Sequence, residues 1–195
     1  YQCDEAWVWE HLALTRARVI AGPEDLARDI EAFRCALLRA KGDIGRVLAG
    51  VSDMRKRIAE AKTPEGGWDT KLGAGRMQDI ELMAQAALLM EANSARDVAS
   101  GLHAATRIGW LTDLQETALQ EAYALCWRIT QIARLLGDKA LHAEKLGEGG
   151  RVMLLRDTGF ETVETLQPGL DARVAAAADV IDEALRIERG PQNGT

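Results

Sequence analysis

The sequence is poor in aromatic residues, has few prolines, and has neither paired cysteines nor a long uncharged apolar run. Aromatics make up only 5% of the 195 residues, and strand-like alternation is missing, so the signature of half-buried strands is absent. The cysteines, Cys3, Cys35 and Cys126, are odd in number, far apart and without Cys-x-x-Cys spacing. Neither a zinc site nor a disulfide framework is implied, and a reducing, cytoplasmic setting is expected. No apolar stretch approaches a membrane span, and residues 1–22 carry charge through their middle where a signal peptide would be apolar. A net charge of −6 argues against a domain built to neutralise nucleic-acid phosphates. Neither nucleic acid nor membrane is therefore an expected partner.

What remains is a chain with 47% hydrophobic residues arranged almost throughout at helical period. The reading is all-α, a bundle of about six to eight helices with no sheet. One domain is expected over residues 1–190, with a disordered tail over 191–195. The start at Tyr1 and the polar, turn-forming end also suggest a segment of a longer protein. A first helix is expected from about Asp4 to Ile20. A second begins at Pro23 and puts Leu26, Ile30, Phe33 and Leu37 on one stripe. A third follows Asp43 as N-cap, with Ile44, Val47, Leu48, Val51, Met54 and Ile58 in register.

A Gly-rich connector over 62–76 leads to a helix from about Met77 to Ala92 that is apolar on most sides and should be the central one. Ser94 is placed to cap a fifth helix reaching about Arg107. Thr112 with Gln115 forms a capping-box pattern for a sixth, running to Leu136. Thr158 with Glu161 repeats that pattern. Beyond it Leu166, Leu170, Val174, Ala178, Ile181 and Leu185 continue one stripe, which Pro168 should kink or split near Gln167.

Charge is unevenly spread. From Arg39 to Arg76 there are nine Lys or Arg against five Asp or Glu, a basic zone able to meet a phosphate. Within it Arg55-Lys56-Arg57 reads as a solvated helix face, though its nearness to the connector leaves a phosphate role open. In the connector, Lys71, Gly73, Gly75 and Arg76 lead into a helix N-terminus. Free backbone N–H groups and two cations there suit an anion or an inter-domain contact, and an ordinary connector is the alternative. The Walker A ending Gly-Lys-Ser/Thr is absent.

Asp-x-Asp, the strand pair that would hold a divalent metal against a triphosphate, occurs nowhere. Asp79-Ile80-Glu81 lies in a predicted helix, where residues two apart face different ways. No catalytic residue and no metal ligand is therefore assigned. Glu81 and Gln85 share a face of the central helix, so a buried salt bridge to Arg16 or Arg18 is expected, with nucleotide or substrate contact as the alternative. Asp79 points elsewhere and suits the positive end of the helix. His11, His103 and His142 lack ligand spacing; His11 beside Trp7 and Trp9 reads as packing against a neighbouring domain.

Two segments carry a family resemblance. Ala6-Trp7-Val8-Trp9-Glu10-His11-Leu12-Ala13-Leu14-Thr15-Arg16-Ala17-Arg18 is similar to the Trp-Glu-His run of the glutamine synthetase adenylyltransferases. Asp69 to Gln85, read as Asp-Thr-Lys-Leu-Gly-Ala-Gly-Arg-Met-Gln-Asp-Ile-Glu-Leu-Met-Ala-Gln, resembles that family's Lys-x-Gly-x-Gly-Gly…Asp-Ile-Glu-Phe motif. Arg76 stands where the family has a second glycine, and Leu82 where it has Phe.

The resemblance implies a helical region behind the C-terminal, adenylylating nucleotidyltransferase domain of a bifunctional enzyme. Its motif residues would be Trp9, Glu10, His11, Arg16, Arg18, Asp79, Glu81 and Gln85. The parent would use ATP and Mg2+ to attach AMP to a tyrosine of glutamine synthetase, while this segment would hold neither by itself. Expected partners are the upstream domain, glutamine synthetase and the PII signalling protein. The expected role is positioning ATP or glutamine synthetase. The alternative is a regulatory module that binds PII or glutamine, or docks the two halves of the parent.

Overall fold

Residues 1–137 and 141–186 are described by a computed structural model. They form α1 (Val8–Thr15), α2 (Glu24–Lys41), α3 (Ile44–Ala61), α4 (Met77–Met90), α5 (Val98–Arg107), α6 (Asp113–Leu136), a short 3-10 turn (Ala143–Lys145), α7 (Glu148–Thr158) and α8 (Val163–Arg186). No strand occurs among the described residues, so the all-α reading holds. The expected tail at 191–195 lies outside them.

Local chemistry explains most boundaries. Asp43 accepts the Arg46 N–H at 2.9 Å and starts α3. Thr112 and Gln115 form the reciprocal box of α6: the Thr112 N–H donates to the Gln115 side chain at 2.9 Å, and the Gln115 N–H donates to the Thr112 hydroxyl at 3.3 Å.

Five boundaries differ from the reading of the sequence. α1 begins at Val8 and not near Asp4, because residues 2–5 form a turn ahead of it. α1 stops at Thr15 because Arg34, buried from α2, donates to the carbonyls of Leu14 and Thr15 at 3.4 and 3.1 Å, capturing groups that a longer helix would bond internally. α5 is capped by Asp97, which takes the Ser100 N–H at 2.8 Å, whereas the Ser94 carbonyl is held by Arg34 and Arg96. Thr158 ends α7 instead of starting a helix: it is buried, and its hydroxyl donates to the Leu154 carbonyl at 2.7 Å. The pair that opens α8 is Thr162 with Thr165, each N–H donating to the other's hydroxyl at 3.3 and 3.2 Å. Pro168 lies inside an unsplit α8. It falls in the second turn, so the carbonyl it leaves without a partner belongs to Glu164, an exposed first-turn residue.

α4 is the centre, as its sequence implies, with eleven buried residues among its fourteen. It contributes to all three apolar clusters. Ile80, Met83, Ala84, Ala87 and Leu88 pack with α5, α6 and α8. Leu82, Ala86 and Leu89 pack with α1, α2 and α3. Met77 joins the cluster of α6, α7 and α8. The approach of α5 is tight: a Cβ on Gly101 would lie 2.6 Å from the Ala84 carbonyl oxygen, so glycine sets that spacing.

The α2 stripe is different. Leu37 is buried, but Leu26, Ile30 and Phe33 are 53%, 45% and 51% exposed. Only the C-terminal half of α2, through Arg34, Leu37 and Leu38, is buried, so the N-terminal half presents its apolar residues to solvent.

Candidate functional site

The connector over 62–76 is a built structure. Asp69 folds it by accepting N–H groups from Lys71 at 2.9 Å, Leu72 at 3.0 Å and Glu65 at 3.0 Å. Thr70 is buried, and its hydroxyl lies 2.6 Å from that of Thr130 on α6. The connector also seals the start of α4: Met77 and Gln78 donate their N–H groups to the carbonyls of Thr70 and Lys71 at 3.2 and 3.1 Å. Those amides are satisfied from within the chain.

Gly73 and Gly75 have φ of 116° and 69°, a region that side chains disfavour. A Cβ on Gly75 would lie 2.0 Å from the Val174 carbonyl oxygen, so the close approach made at this glycine is to α8. Arg76 occupies the N-cap position of α4 and donates to the Gly67 carbonyl at 3.2 Å. Lys71 is exposed.

Asp79 and Glu81 turn to different neighbours. Asp79 is buried and accepts from Arg55 Nε at 2.5 Å, Arg55 Nη2 at 3.0 Å and the Gly75 N–H at 2.9 Å. Arg55 also donates to Asp182 of α8 at 2.9 Å, tying α3, α4 and α8 together. Arg55 is thus no part of a solvated face, a correction to the reading of the Arg-Lys-Arg run. Arg57 fits that reading: its pair with Asp53 is 57% exposed on each side.

Glu81 accepts from the Tyr123 hydroxyl at 3.2 Å and faces Arg16 at 3.7 Å. The expected buried salt bridge is half-open, since the Arg16 side chain is 53% exposed, and Arg18 is exposed and forms no pair with Glu81. Burial, reinforced by the nearby Glu81 carboxylate, pushes the Tyr123 hydroxyl up to about 12. Gln85, one turn on, is buried. Among the described residues no three His, Cys, Asp or Glu side chains gather as a metal site.

The Trp-Glu-His segment forms the outer end of α1. Glu10 accepts the Trp7 N–H at 2.7 Å and the Tyr1 hydroxyl at 2.7 Å. Its carboxyl is held below the usual range, first by the Trp7 N–H. His11 is buried, and its Nε2 donates to the Gln2 carbonyl at 3.0 Å. Trp7 and Trp9 remain exposed, and the Arg57 guanidinium lies 5.6 Å from the Trp7 ring centre.

Two clefts flank the connector. One, of about 380 Å³, is lined by α3, the start of α4 and the connector, and includes Arg55, Lys56, Lys62, Gly73, Gln78 and Asp79. The other, of about 390 Å³, lies against α6 and includes Trp68, Asp69, Lys71, Thr130 and Arg134. Lys71 and Gly73 therefore line opposite clefts, while neither cleft includes Gly75 or Arg76. Lys56, Lys62 and Arg55 were not singled out from the sequence as one group. The signal was there, because Arg55 follows Val51 by one helical turn and precedes Ile58 by another, which puts it toward the packed side of α3.

Residues 51–187 match the family model described as GlnD PII-uridylyltransferase. Relatives named bifunctional glutamine synthetase adenylyltransferase/adenylyl-removing enzyme include one from Rhodopseudomonas palustris strain CGA009, 39% identical over 153 residues, 76% of this chain and 16% of that protein. One from Xanthobacter autotrophicus is 32% identical over 190 residues, 95% of this chain and 19% of its own length. Another, from Rhizobium meliloti, is 39% identical over 146 residues, 71% of this chain and 15% of its own length. The chain thus spans less than one fifth of each of these three relatives. By the extent of the family match, this chain belongs to the family described as GlnD PII-uridylyltransferase, and it is similar to the glutamine synthetase adenylyltransferases, as its two sequence motifs imply.

Proposed function

We propose that this bundle is the helical companion of a nucleotidyltransferase unit in a glutamine synthetase adenylyltransferase/adenylyl-removing enzyme of the cytoplasm. Its task is to position ATP or glutamine synthetase while AMP passes to a tyrosine. The observation that carries this reading is the braced connector, which holds Lys71 in the open while Thr70, Gly75 and Asp79 lock it to α6, α8 and α3. Rigid placement of a cation lowers the cost of ordering a charged reactant. Lys71, with Gly73, Gly75 and Arg76 shaping the turn, is the proposed contact for phosphate or for the neighbouring domain.

Bond-making belongs elsewhere in the parent. Asp79 is taken up by Arg55 and Gly75, and Glu81 by Tyr123 and Arg16, so no step through Mg2+ or ATP is assigned to the acids of this chain. The exposed Trp7 and Trp9 on α1 suit an apolar contact with the upstream domain.

The exposed Leu26, Ile30 and Phe33 on α2 support a second reading, a regulatory module that receives PII or glutamine, or docks the two halves of the parent. One experiment separates the two. The chain is added to a separately produced nucleotidyltransferase unit from the Rhodopseudomonas palustris relative, and AMP transfer from labelled ATP to glutamine synthetase is followed. Positioning predicts stimulation that Lys71→Ala with Arg76→Ala removes and Phe33→Glu leaves intact. Stimulation untouched by the first pair removes the connector from the mechanism; a response to PII or glutamine lost in Phe33→Glu supports the second reading.

A further inference from the structure

The cleft between α3 and the connector has the size and the charge of a ligand site. Its volume of about 380 Å³ falls within the usual range of small-molecule pockets. Its lining carries three cations, Arg55, Lys56 and Lys62, against one carboxylate, Asp79, in a chain whose net charge is −6. Low-dielectric walls around like charges concentrate their field on whatever enters.

Arg55 is paired with two carboxylates, Asp79 in the lining and Asp182 beside it, so the positive excess at the cleft is carried by Lys56 and Lys62 alone. Both oxygens of Asp79 are held by Arg55, one of them also by the Gly75 N–H, and the remaining Arg55 nitrogen is turned to Asp182. Among the described residues neither Lys56 nor Lys62 forms an ion pair. A second observation points the same way. Gln78 lines the cleft, and its Oε1 is buried without a hydrogen-bond partner. Buried amide groups are nearly always bonded, and because this oxygen is closed to solvent as it stands, a cleft ligand meets it only if the Gln78 side chain turns, which would relieve the orphan. Ile58, Pro64 and Leu82 supply an apolar wall.

We infer that this cleft binds a small organic dianion, a phosphate monoester or a dicarboxylate. Its charge lies between Lys56 and Lys62, its polar body reaches the Gln78 amide, and its apolar surface rests on Ile58, Pro64 and Leu82. Arg55 serves only to hold the wall in place. The inference does not rest on the adenylyltransferase reading, because it is tested by equilibrium binding to this chain alone, whereas that reading stands or falls on AMP transfer.

The test is calorimetric titration of the chain with AMP, adenosine, succinate and inorganic phosphate at low and high salt. Binding of AMP or of succinate is expected, weakened by salt. Lys56→Ala with Lys62→Ala should weaken it by about tenfold or more, while Lys56→Arg with Lys62→Arg retains it. Gln78→Leu should weaken it as well. AMP binding with inorganic phosphate as competitor assigns the phosphate class; succinate binding assigns the dicarboxylate class. Both lysines are exposed, so the variants should fold. Protection of Lys56 and Lys62 from acetylation by the bound anion, read by mass spectrometry on the unaltered chain, makes the test independent of them. The inference is overturned if neither AMP nor succinate binds, if adenosine binds as tightly as AMP, or if no protection of either lysine accompanies binding.

Discussion

Arg55 and Asp79 meet in a forked pair, Nε to Oδ1 at 2.5 Å and Nη2 to Oδ2 at 3.0 Å, across the junction of α3 and α4. The carboxylate is almost wholly buried and the guanidinium is one-fifth exposed. Because Asp79 also holds the Gly75 N–H, this pair fixes both the helix crossing and the turn that enters α4.

Removing the guanidinium leaves a buried carboxylate with one remaining donor. Arg55→Ala should therefore cost about 2–4 kcal/mol in urea unfolding. Arg55→Lys keeps the charge but not the fork and should fall between the two. In a double-mutant cycle, Arg55→Ala with Asp79→Ala should cost clearly less than the sum of the single changes. Additive effects would mean that the pair is not coupled.

Gly75→Ala should be the most damaging single-methyl change in the connector. The new Cβ would meet the Val174 carbonyl oxygen at 2.0 Å, at a φ of 69°. A loss above about 3 kcal/mol, or failure to fold, is expected in thermal unfolding. Gly66→Ala also replaces a glycine of positive φ, but nothing lies within 4 Å of the added Cβ. It should cost no more than about 1–2 kcal/mol.

The Glu31–Arg34–Arg96 cluster predicts an acid-sensitive step. Hydrogen bonds from Arg34 hold the Glu31 carboxyl down to about 2, against 4.5 for the free group, with Arg96 adding to the effect. A depressed folded-state value stabilises the protein above about 4.5, and that stability is lost as pH falls toward 2. The Glu31 side chain is 37% exposed, so solvent screening limits the loss to about 1–2 kcal/mol. Glu31→Gln should flatten the stability profile across that window, which denaturant titrations at stepped pH would measure.

Cysteine reactivity should follow burial. Cys126 is enclosed on α6, and burial pushes its thiol up to about 11, whereas Cys3 is exposed. Iodoacetamide at neutral pH should label Cys3 in the native protein and reach Cys126 only after denaturation. Mass spectrometry of the two peptides reads the order directly.

The elements legible in the sequence were those set by local chemistry or by burial on all sides. Thr112 with Gln115 fixed the start of α6, Asp43 that of α3, and the apolar density of Met77–Met90 marked the central helix. Periodicity reports which residues share a face and not whether anything covers it, which is why Leu26, Ile30 and Phe33 share a stripe with the buried Leu37 and yet lie exposed. Two of the misplaced termini involve Arg34, a residue far along the chain, which ends α1 and, with the neighbouring Arg96, holds the Ser94 carbonyl. At another, burial turns the Thr158 hydroxyl back onto the Leu154 carbonyl and leaves the start of α8 to Thr162 and Thr165.

The site was legible in composition more than in detail. The basic zone from Arg39 to Arg76 contains the three cations of the cleft. Which of them is consumed by structure depends on Asp182, a partner 127 positions away, and no local pattern reports that. The motif acids were similarly split by context, the buried role going to Asp79 and the half-open one to Glu81.

The sharing of α4 among all three apolar clusters sets how the molecule should melt. No sub-bundle can detach with an intact interior, because each would have to take the same helix with it. Scanning calorimetry should record one heat-absorption peak whose van't Hoff and calorimetric enthalpies agree, and two resolved peaks would show that the helices divide into separately folding halves.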